Sequence, residues 1–122
     1  MYAITKGLGQ EICRVFAANN PSLQVIHLMY YHFKRSLAPP EGEWTPDAGS
    51  LVNALGVTFA DGAKAVAAAL KVDTTSLESN CEAFFVGDDM PNGRFLTDRT
   101  KKYLNWAPTE SIAKFFTHHP KL

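Results

Sequence analysis

The chain has 122 residues, which is enough for one domain and hardly enough for two. Hydrophobic residues make up 46% of it and charged residues 20%, a composition typical of globular proteins rather than of intrinsically disordered ones. Twelve basic residues balance twelve acidic ones, so the charge gives no reason to expect a nucleic acid or an anionic membrane as a partner.

Targeting signals and metal-ligand patterns are missing from the sequence. No basic segment opens the chain, and Gln10 and Glu11 interrupt any apolar run there, so we expect no signal peptide. No stretch approaches the roughly 18 apolar residues that a membrane span needs. Cys13 and Cys81 are far apart and are predicted to be reduced, small, buried hydrophobes without a metal. We expect a cytoplasmic protein.

The first predicted element is a helix that ends at Asn19-Asn20-Pro21, because the residue before a proline avoids the helical region. Apolar residues recur along it at three- and four-residue spacing: Ile4, Leu8, Ile12, Val15 and Phe16. Gly7 and Gly9 each cost a helix about 1 kcal/mol against alanine. Their presence predicts that another backbone or a ligand approaches closely there.

The next segment, Leu23–Tyr31, is almost continuously apolar and is typical of a parallel strand buried on both faces. Helix, loop and buried strand in this order indicate an α/β fold. Lys34–Ser50 contains several prolines and glycines and is predicted to be a long loop, a kind of segment that is often functional.

The second half continues the alternation of strands and helices. Asp61 is predicted to cap an alanine-rich helix, and Asp88-Asp89 is predicted to be a turn after a strand. The predicted elements are a strand at Leu55–Phe59, a helix at Ala63–Leu70, a helical turn at Thr75–Glu78, a strand at Glu82–Val86, and helices at Thr97–Leu104 and Glu110–Phe116.

Tyr2 and Lys6 are the residues most suggestive of chemistry. They form Tyr-x-x-x-Lys at the start of the first helix, where residues four apart share one face. A lysine ammonium held there favours the phenolate, and a tyrosine so tuned can act as a general acid/base beside a nicotinamide ring. The spacing alone is weak, since Tyr30 and Lys34 repeat it, but that second pair begins in a predicted strand.

Several segments, in this order, resemble the extended short-chain dehydrogenases of the NAD(P)-dependent epimerase/dehydratase family. The resemblance spans nearly the whole chain, and it is the order of the segments that carries it. The matching segments are Tyr2–Glu11 as active-site helix, Leu23–Tyr31 as sixth parallel strand, Val57–Ala65 as the Asp-x-Ala stretch, Phe84–Gly87 as penultimate strand and Thr100–Pro108 as the Leu-Gly-Trp-x-Pro segment.

The resemblance implies the C-terminal part of a Rossmann-type parallel sheet plus a small substrate-side α/β region, in one truncated domain. Residues 1–34 would hold the active-site helix and parallel strand, and residues 35–122 the substrate-side region. Tyr2 would be the acid/base, and Lys6 would bind the nicotinamide ribose. It further implies NAD or NADP as cofactor, a sugar or sugar nucleotide as substrate, and a homodimer or a missing N-terminal half as partner.

The chain departs from the family pattern at two places. Met29 and Tyr30 stand where the family has Arg-Pro, and His32 stands where it has an asparagine. Gly7-Leu8-Gly9 does not form the dinucleotide fingerprint, because Ile12 occupies its last glycine position in mid-helix. The family's fingerprint and its Ser/Thr partner would lie before Tyr2, so we expect the N-terminal dinucleotide-binding half to be absent.

Two further residues are candidates for substrate contact. His32 could line a pocket or be an incidental loop residue, and Trp44 in the proline-rich loop could stack on a sugar or a base. His27 is predicted to be a hydrogen-bonded core residue, and His118-His119 lack the carboxylate or cysteine spacing of a metal site.

Two functions therefore stay open. The chain is either the substrate-side portion of an epimerase, dehydratase or reductase that is inactive alone, or a non-catalytic α/β remnant that self-associates and acts through binding.

Overall fold

The computed structural model describes residues 2–36, 56–89 and 97–111 of the chain. Helices and strands alternate, as predicted, in a mixed α/β arrangement. The elements are α1 (Tyr2–Asn19), β1 (Val25–Met29), β2 (His32–Lys34), β3 (Gly56–Thr58), α2 (Phe59–Ala69), a 3₁₀ turn (Thr74–Ser76), β4 (Cys81–Phe85) and α3 (Asp98–Leu104).

The first helix ends where the sequence predicts. The side-chain amide of Asn19 donates to the Val15 carbonyl at 2.8 Å, and that of Asn20 donates to the Phe16 carbonyl at 2.7 Å. These two side-chain amides add hydrogen bonds to backbone carbonyls in the last turn of the helix. Pro21 then prevents the helix from continuing.

The predicted buried strand is confirmed as β1, which pairs in parallel with β4. The register runs from Val25 opposite Cys81 to Met29 opposite Phe85. Because side chains alternate along a strand, Glu82 and Phe84 point to one face of this sheet and Cys81 to the other. The first face carries the main core, and the second is covered by α1, which packs on both strands.

A second parallel pair joins β2 to β3, with His32 opposite Gly56 and Lys34 opposite Thr58. The prediction that His32 lies in a loop is therefore wrong, because the backbone of this short segment finds a partner strand more than twenty residues later. The predicted strand at Leu55–Phe59 is confirmed as β3. The long loop, apart from its first residues, and the last predicted helix, apart from Glu110 and Ser111, lie outside the described residues.

The core lies between the β1–β4 sheet and helices α2 and α3. Its buried apolar side chains are Val57, Ala65, Phe84, Val86, Leu104 and Trp106. Asn105 adopts a left-handed conformation at φ 47°, which ends α3 and turns the chain so that Trp106 enters this core. The Thr100 hydroxyl donates to the Phe85 carbonyl at 2.6 Å and holds α3 on the end of β4.

Asp61 plays a different role from the one predicted. The residue that caps α2 is Thr58, whose hydroxyl accepts a hydrogen bond from the Asp61 backbone N–H at 3.0 Å. The Asp61 carboxylate is fully buried and accepts hydrogen bonds from the Thr109 N–H at 2.9 Å, the Thr109 hydroxyl at 2.6 Å and the Glu110 N–H at 3.3 Å. Asp61 therefore joins α2 to a segment nearly fifty residues later.

These contacts favour the ionised carboxylate of Asp61. Burial on its own would raise the pKa of the Asp61 carboxyl. The hydrogen bonds from Thr109 and Glu110, together with Lys64 at 3.4 Å, outweigh burial and hold that pKa below its ordinary value. A group whose pKa is lowered by folding stabilises the fold above its unfolded pKa, about 3.9 for aspartate, and loses that contribution as the pH falls through the folded pKa.

We predict that Asp61→Asn lowers the free energy of unfolding at neutral pH by about 2 kcal/mol, because the new amide turns a donor towards groups that are themselves donors. The difference from the wild type should begin to shrink as the pH falls below the unfolded pKa of aspartate, about 3.9, and should be lost once the pH passes below the lower folded pKa of Asp61. Urea unfolding at a series of pH values measures both the loss of stability and its dependence on pH. Asp73→Asn is the control, since asparagine caps a helical turn about as well as aspartate; a difference that stays constant with pH would contradict the assignment.

Candidate active site

The predicted contact between Tyr2 and Lys6 is present at the start of α1. The Lys6 Nζ lies 5.4 Å from the centre of the Tyr2 ring, one helical turn along the same face. Tyr2 is 76% exposed, so its hydroxyl is open to a ligand. The Thr5 hydroxyl donates to the Tyr2 carbonyl at 2.8 Å and supports the backbone of this first turn.

The position of this pair follows from how α1 is attached. The Asn80 side-chain amide donates to the Ala17 carbonyl at 2.7 Å, which fixes the C-terminal end of α1 beside the amino end of β4. A helix of 18 residues is about 27 Å long. Each five-residue strand below it spans only about 17 Å. α1 is therefore longer than the strands that its C-terminal half contacts, and open α/β sheets bind ligands at the carboxyl ends of their strands.

The surface around Gly7 and Gly9 is open. A Cβ atom added to either glycine would meet no atom within 4 Å among the described residues. The predicted close approach of another backbone is therefore wrong within this part of the chain. The alternative, a ligand approaching this face, stays a prediction.

The other candidate residues are placed differently. His32 is exposed in β2, and its ring packs edge-on against Tyr31 at a centroid distance of 4.8 Å. His32 lies three residues beyond the carboxyl end of β1, and no contact joins it to Tyr2 or Lys6 among the described residues. Trp44 lies outside the described residues.

The second Tyr-x-x-x-Lys spacing has a structural role, as the sequence suggested. Tyr30 follows β1 and Lys34 lies in β2, so the two do not share a helical face. The Tyr30 hydroxyl donates to the Gly62 carbonyl at 3.1 Å, and burial raises the pKa of Tyr30. This tyrosine holds β1 against α2.

The two aspartates after β4 follow a bend at Gly87 rather than forming a hydrogen-bonded turn. The Asp89 N–H donates to the Asp88 carboxylate at 2.8 Å. The Asp89 carboxylate in turn accepts a hydrogen bond from the Thr97 hydroxyl and pairs with Lys101. Asp89 therefore connects the end of β4 to the start of α3 and is not half of a catalytic carboxylate pair.

One group of reactive side chains was missed by the sequence analysis. The Cys81 Sγ lies 3.6 Å from the His27 Nε2, and Cys13 on α1 is close enough to influence the charge of Cys81. His27 thus has the partner predicted for it. No sequence signal identifies this group, because it depends on the register between β1 and β4 and on the packing of α1 above them.

The described residues fit the nicotinamide end of a dinucleotide better than its pyrophosphate end. The Lys6 ammonium and the Tyr2 hydroxyl are exposed donors on one face, which suits ribose hydroxyls and a substrate oxygen. Gly7 and Gly9 lie inside α1, where the helix uses the backbone N–H groups that a phosphate would need. At the turn between β3 and α2, the buried Asp61 carboxylate stands where an anion would bind.

Membrane and metal features were also searched in the part of the chain that the structure describes. No helix there is long and apolar enough to cross a membrane. No three histidine, cysteine or acidic side chains there are grouped so that they could hold a metal ion.

Comparison of the chain with protein-family models, with curated proteins and with solved structures finds no match. The family resemblance therefore stays a prediction from the order of motifs in the sequence.

We predict that Gly7→Ala and Gly9→Ala each raise the free energy of unfolding by about 0.5 to 1 kcal/mol, because alanine favours the helix and its Cβ meets free space. Chemical denaturation of the two variants measures this. Gly62→Ala serves as the contrasting variant, since its Cβ would lie 2.5 Å from the Phe33 ring. A loss of stability at Gly7 or Gly9 would mean that another part of the protein packs on this face.

Proposed function

We propose that the chain is the C-terminal, substrate-side portion of an NAD(P)-dependent epimerase/dehydratase-type enzyme that acts on a sugar or sugar nucleotide in the cytoplasm. The observation that carries this proposal is the Tyr2–Lys6 pair, one helical turn apart on one exposed face at the start of α1. This arrangement agrees with the order of motifs along the sequence.

In this proposal Tyr2 moves a proton at the substrate oxygen. A nicotinamide cofactor, when bound, supplies or accepts the hydride. The Tyr2 hydroxyl donates its proton to a carbonyl oxygen that becomes an alcohol, or its phenolate removes the proton of an alcohol that becomes a carbonyl. The Lys6 ammonium stabilises the phenolate through its positive charge and donates a hydrogen bond to a ribose hydroxyl.

The same proposal makes this chain inactive by itself. The described residues supply a proton-transfer group and a ribose ligand but no glycine-rich turn that would hold a pyrophosphate. The family resemblance assigns that turn, and the Ser/Thr that polarises the substrate oxygen, to an N-terminal half. An exposed acid/base pair without these groups lacks the electrostatic stabilisation that usually contributes most to catalysis.

The proposal is tested by titration with NADH and NADPH while nicotinamide fluorescence is followed. One sample is the chain alone, and the other is the chain together with a candidate N-terminal dinucleotide-binding half. We expect saturable binding to the combined protein and a weakening of about tenfold in Lys6→Ala, the loss of one charged hydrogen bond. Tyr2→Phe should keep binding and abolish turnover, because it removes only the proton-carrying hydroxyl.

Lys34→Ala is the matched control, since Lys34 stands in the same Tyr-x-x-x-Lys spacing but lies in β2. Equal effects of Lys6→Ala and Lys34→Ala on binding, or full turnover in Tyr2→Phe, would contradict the proposed roles.

A second candidate, a non-catalytic module that self-associates, is favoured by the outer face of α1. Cys13 and Ala17 turn towards the sheet, and at 100° per residue the apolar stripe lies largely on the other side of the helix. All five of its residues are exposed, Ile12 by 66%. Exposed apolar stripes of this kind mark interaction surfaces in soluble proteins. The stripe consists of Ile4, Leu8, Ile12, Val15 and Phe16.

Ile12→Glu tests this candidate by placing a charge in the middle of the stripe. If α1 mediates self-association, the wild type sediments as a dimer or larger species and Ile12→Glu as a monomer. Leu70→Glu is the control, because Leu70 is 83% exposed on a different helix end. A monomeric wild type in analytical ultracentrifugation would contradict self-association and would leave the enzyme proposal unaffected.

A further inference from the structure

Cys81 contacts His27 on the face of the β1–β4 sheet that α1 covers, and Cys13 lies on the side of α1 that faces this sheet. Cys81 is the first residue of β4, and its Sγ is 3.6 Å from the His27 Nε2 on β1. Cys13 lies on the sheet-facing side of α1, one turn before the fully buried Ala17. Both cysteines are free and partly buried. Neither proposed function uses any of these three side chains.

The attachment of α1 brings the two thiols towards each other. Asn80, which binds the Ala17 carbonyl, is the residue directly before Cys81. One turn of α1 advances about 5.4 Å along the sheet, less than two residues of strand, so Cys13 lies above the first residues of β4. Cys81 points to this side of the sheet, and a charge on Cys13 would act on it directly.

We propose that Cys13 and Cys81 form a reversible intramolecular disulfide that attaches α1 to β4 when a small-molecule disulfide oxidises the protein. The proposal needs no catalytic activity of the chain. Only its consequence for Tyr2 and Lys6 rests on the function proposed above.

The exchange has two steps, and its atoms and electrons balance. The Cys13 thiolate attacks one sulfur of the small disulfide, forms a mixed disulfide and releases one small thiol. Cys81 then passes its proton to His27 Nε2 and attacks the Cys13 sulfur, which releases the second small thiol. The two protein thiols are oxidised by two electrons, and the small disulfide is reduced to two thiols.

The environment of Cys81 assigns it the second of these steps. Burial, together with the negative charge that Cys13 and Glu82 can carry, raises the pKa of the Cys81 thiol. A thiol with a raised pKa is a poor nucleophile towards a reagent in solution. The neighbouring imidazole provides an acceptor for its proton once the mixed disulfide on Cys13 is within reach.

The disulfide would link α1 covalently to β4. In the described structure, the first turns of α1 have no such link to the sheet. Its Cys13 end lies one turn closer to Lys6 than the buried Ala17 does. Oxidation would therefore restrict how far the start of α1 swings away from the sheet. If the enzyme proposal holds, this restriction changes the access of substrate to Tyr2.

The test uses the folded chain treated with oxidised glutathione, followed by maleimide labelling and intact-mass measurement. We expect two maleimide additions to the reduced protein and none to the oxidised protein, whose mass falls by two hydrogens. The melting temperature should rise by about 10 °C on oxidation and return with dithiothreitol. Cys13→Ser and Cys81→Ser should show no such rise, and His27→Gln should slow closure about tenfold with the same end point.

Three results would overturn the proposal. The first is two maleimide additions after oxidation of the folded protein. The second is a stable glutathione adduct on Cys13 with Cys81 still reactive towards maleimide. The third is disulfide-linked dimers on a non-reducing gel. Closure at the wild-type rate in His27→Gln would overturn the proton-accepting role of His27. None of these outcomes depends on NADH or NADPH, so failure here is distinguishable from failure of the enzyme proposal.

Discussion

The buried Asp61 carboxylate is the interaction on which most of the described fold depends. An ionised group without solvent contact is stable only if hydrogen bonds replace its lost hydration, and here Thr109 and Glu110 supply them. The backbone carbonyl of the same residue accepts a hydrogen bond from the Trp106 indole at 3.0 Å, so the aromatic ring that closes the core is oriented from the same point. One residue thus aligns the start of α2, the chain after α3 and the indole of the core.

The first helix has no such central interaction. Its link to the sheet is the packing of Cys13 and Ala17 and the bond between Asn80 and the Ala17 carbonyl, all in its C-terminal half. Among the described residues, the first turns of α1 are exposed, while α2 and α3 both contribute buried side chains. Stability is therefore unevenly distributed, with a well-connected core on one face of the sheet and a helix attached at one end on the other. The elements that carry ligand-binding groups in proteins are commonly the less stable ones.

Local contacts could be predicted from the sequence, and contacts between distant segments could not. The Tyr2–Lys6 contact follows from helix geometry alone, and the strands β1 and β4 follow from continuous apolar runs. Asp61 was predicted to be a cap because an aspartate near a helix start usually is one, whereas its real partners lie nearly fifty residues away. His32 was assigned to a loop because a three-residue strand has no periodicity to detect, and only its pairing with β3 defines it. The Rossmann-type sheet stays a prediction, since the described strands form two separate pairs.

The two faces of α1 differ in what covers them in the described structure. The sheet-facing side has small residues that let the helix approach the strands, and at 100° per residue Tyr2 and Lys6 lie on this same side of the helix. The other side exposes a complete apolar stripe, which in water carries an unfavourable free energy of roughly 25 cal/mol for each Å² left uncovered. A helix that contributed only to the stability of the described fold would need one apolar face, not two. Under the self-association proposed above, a second copy packed on this stripe would hold the free end of α1 and restrict the position of Tyr2. Binding on the outer face and chemistry on the inner face would in this way be linked through one rigid helix.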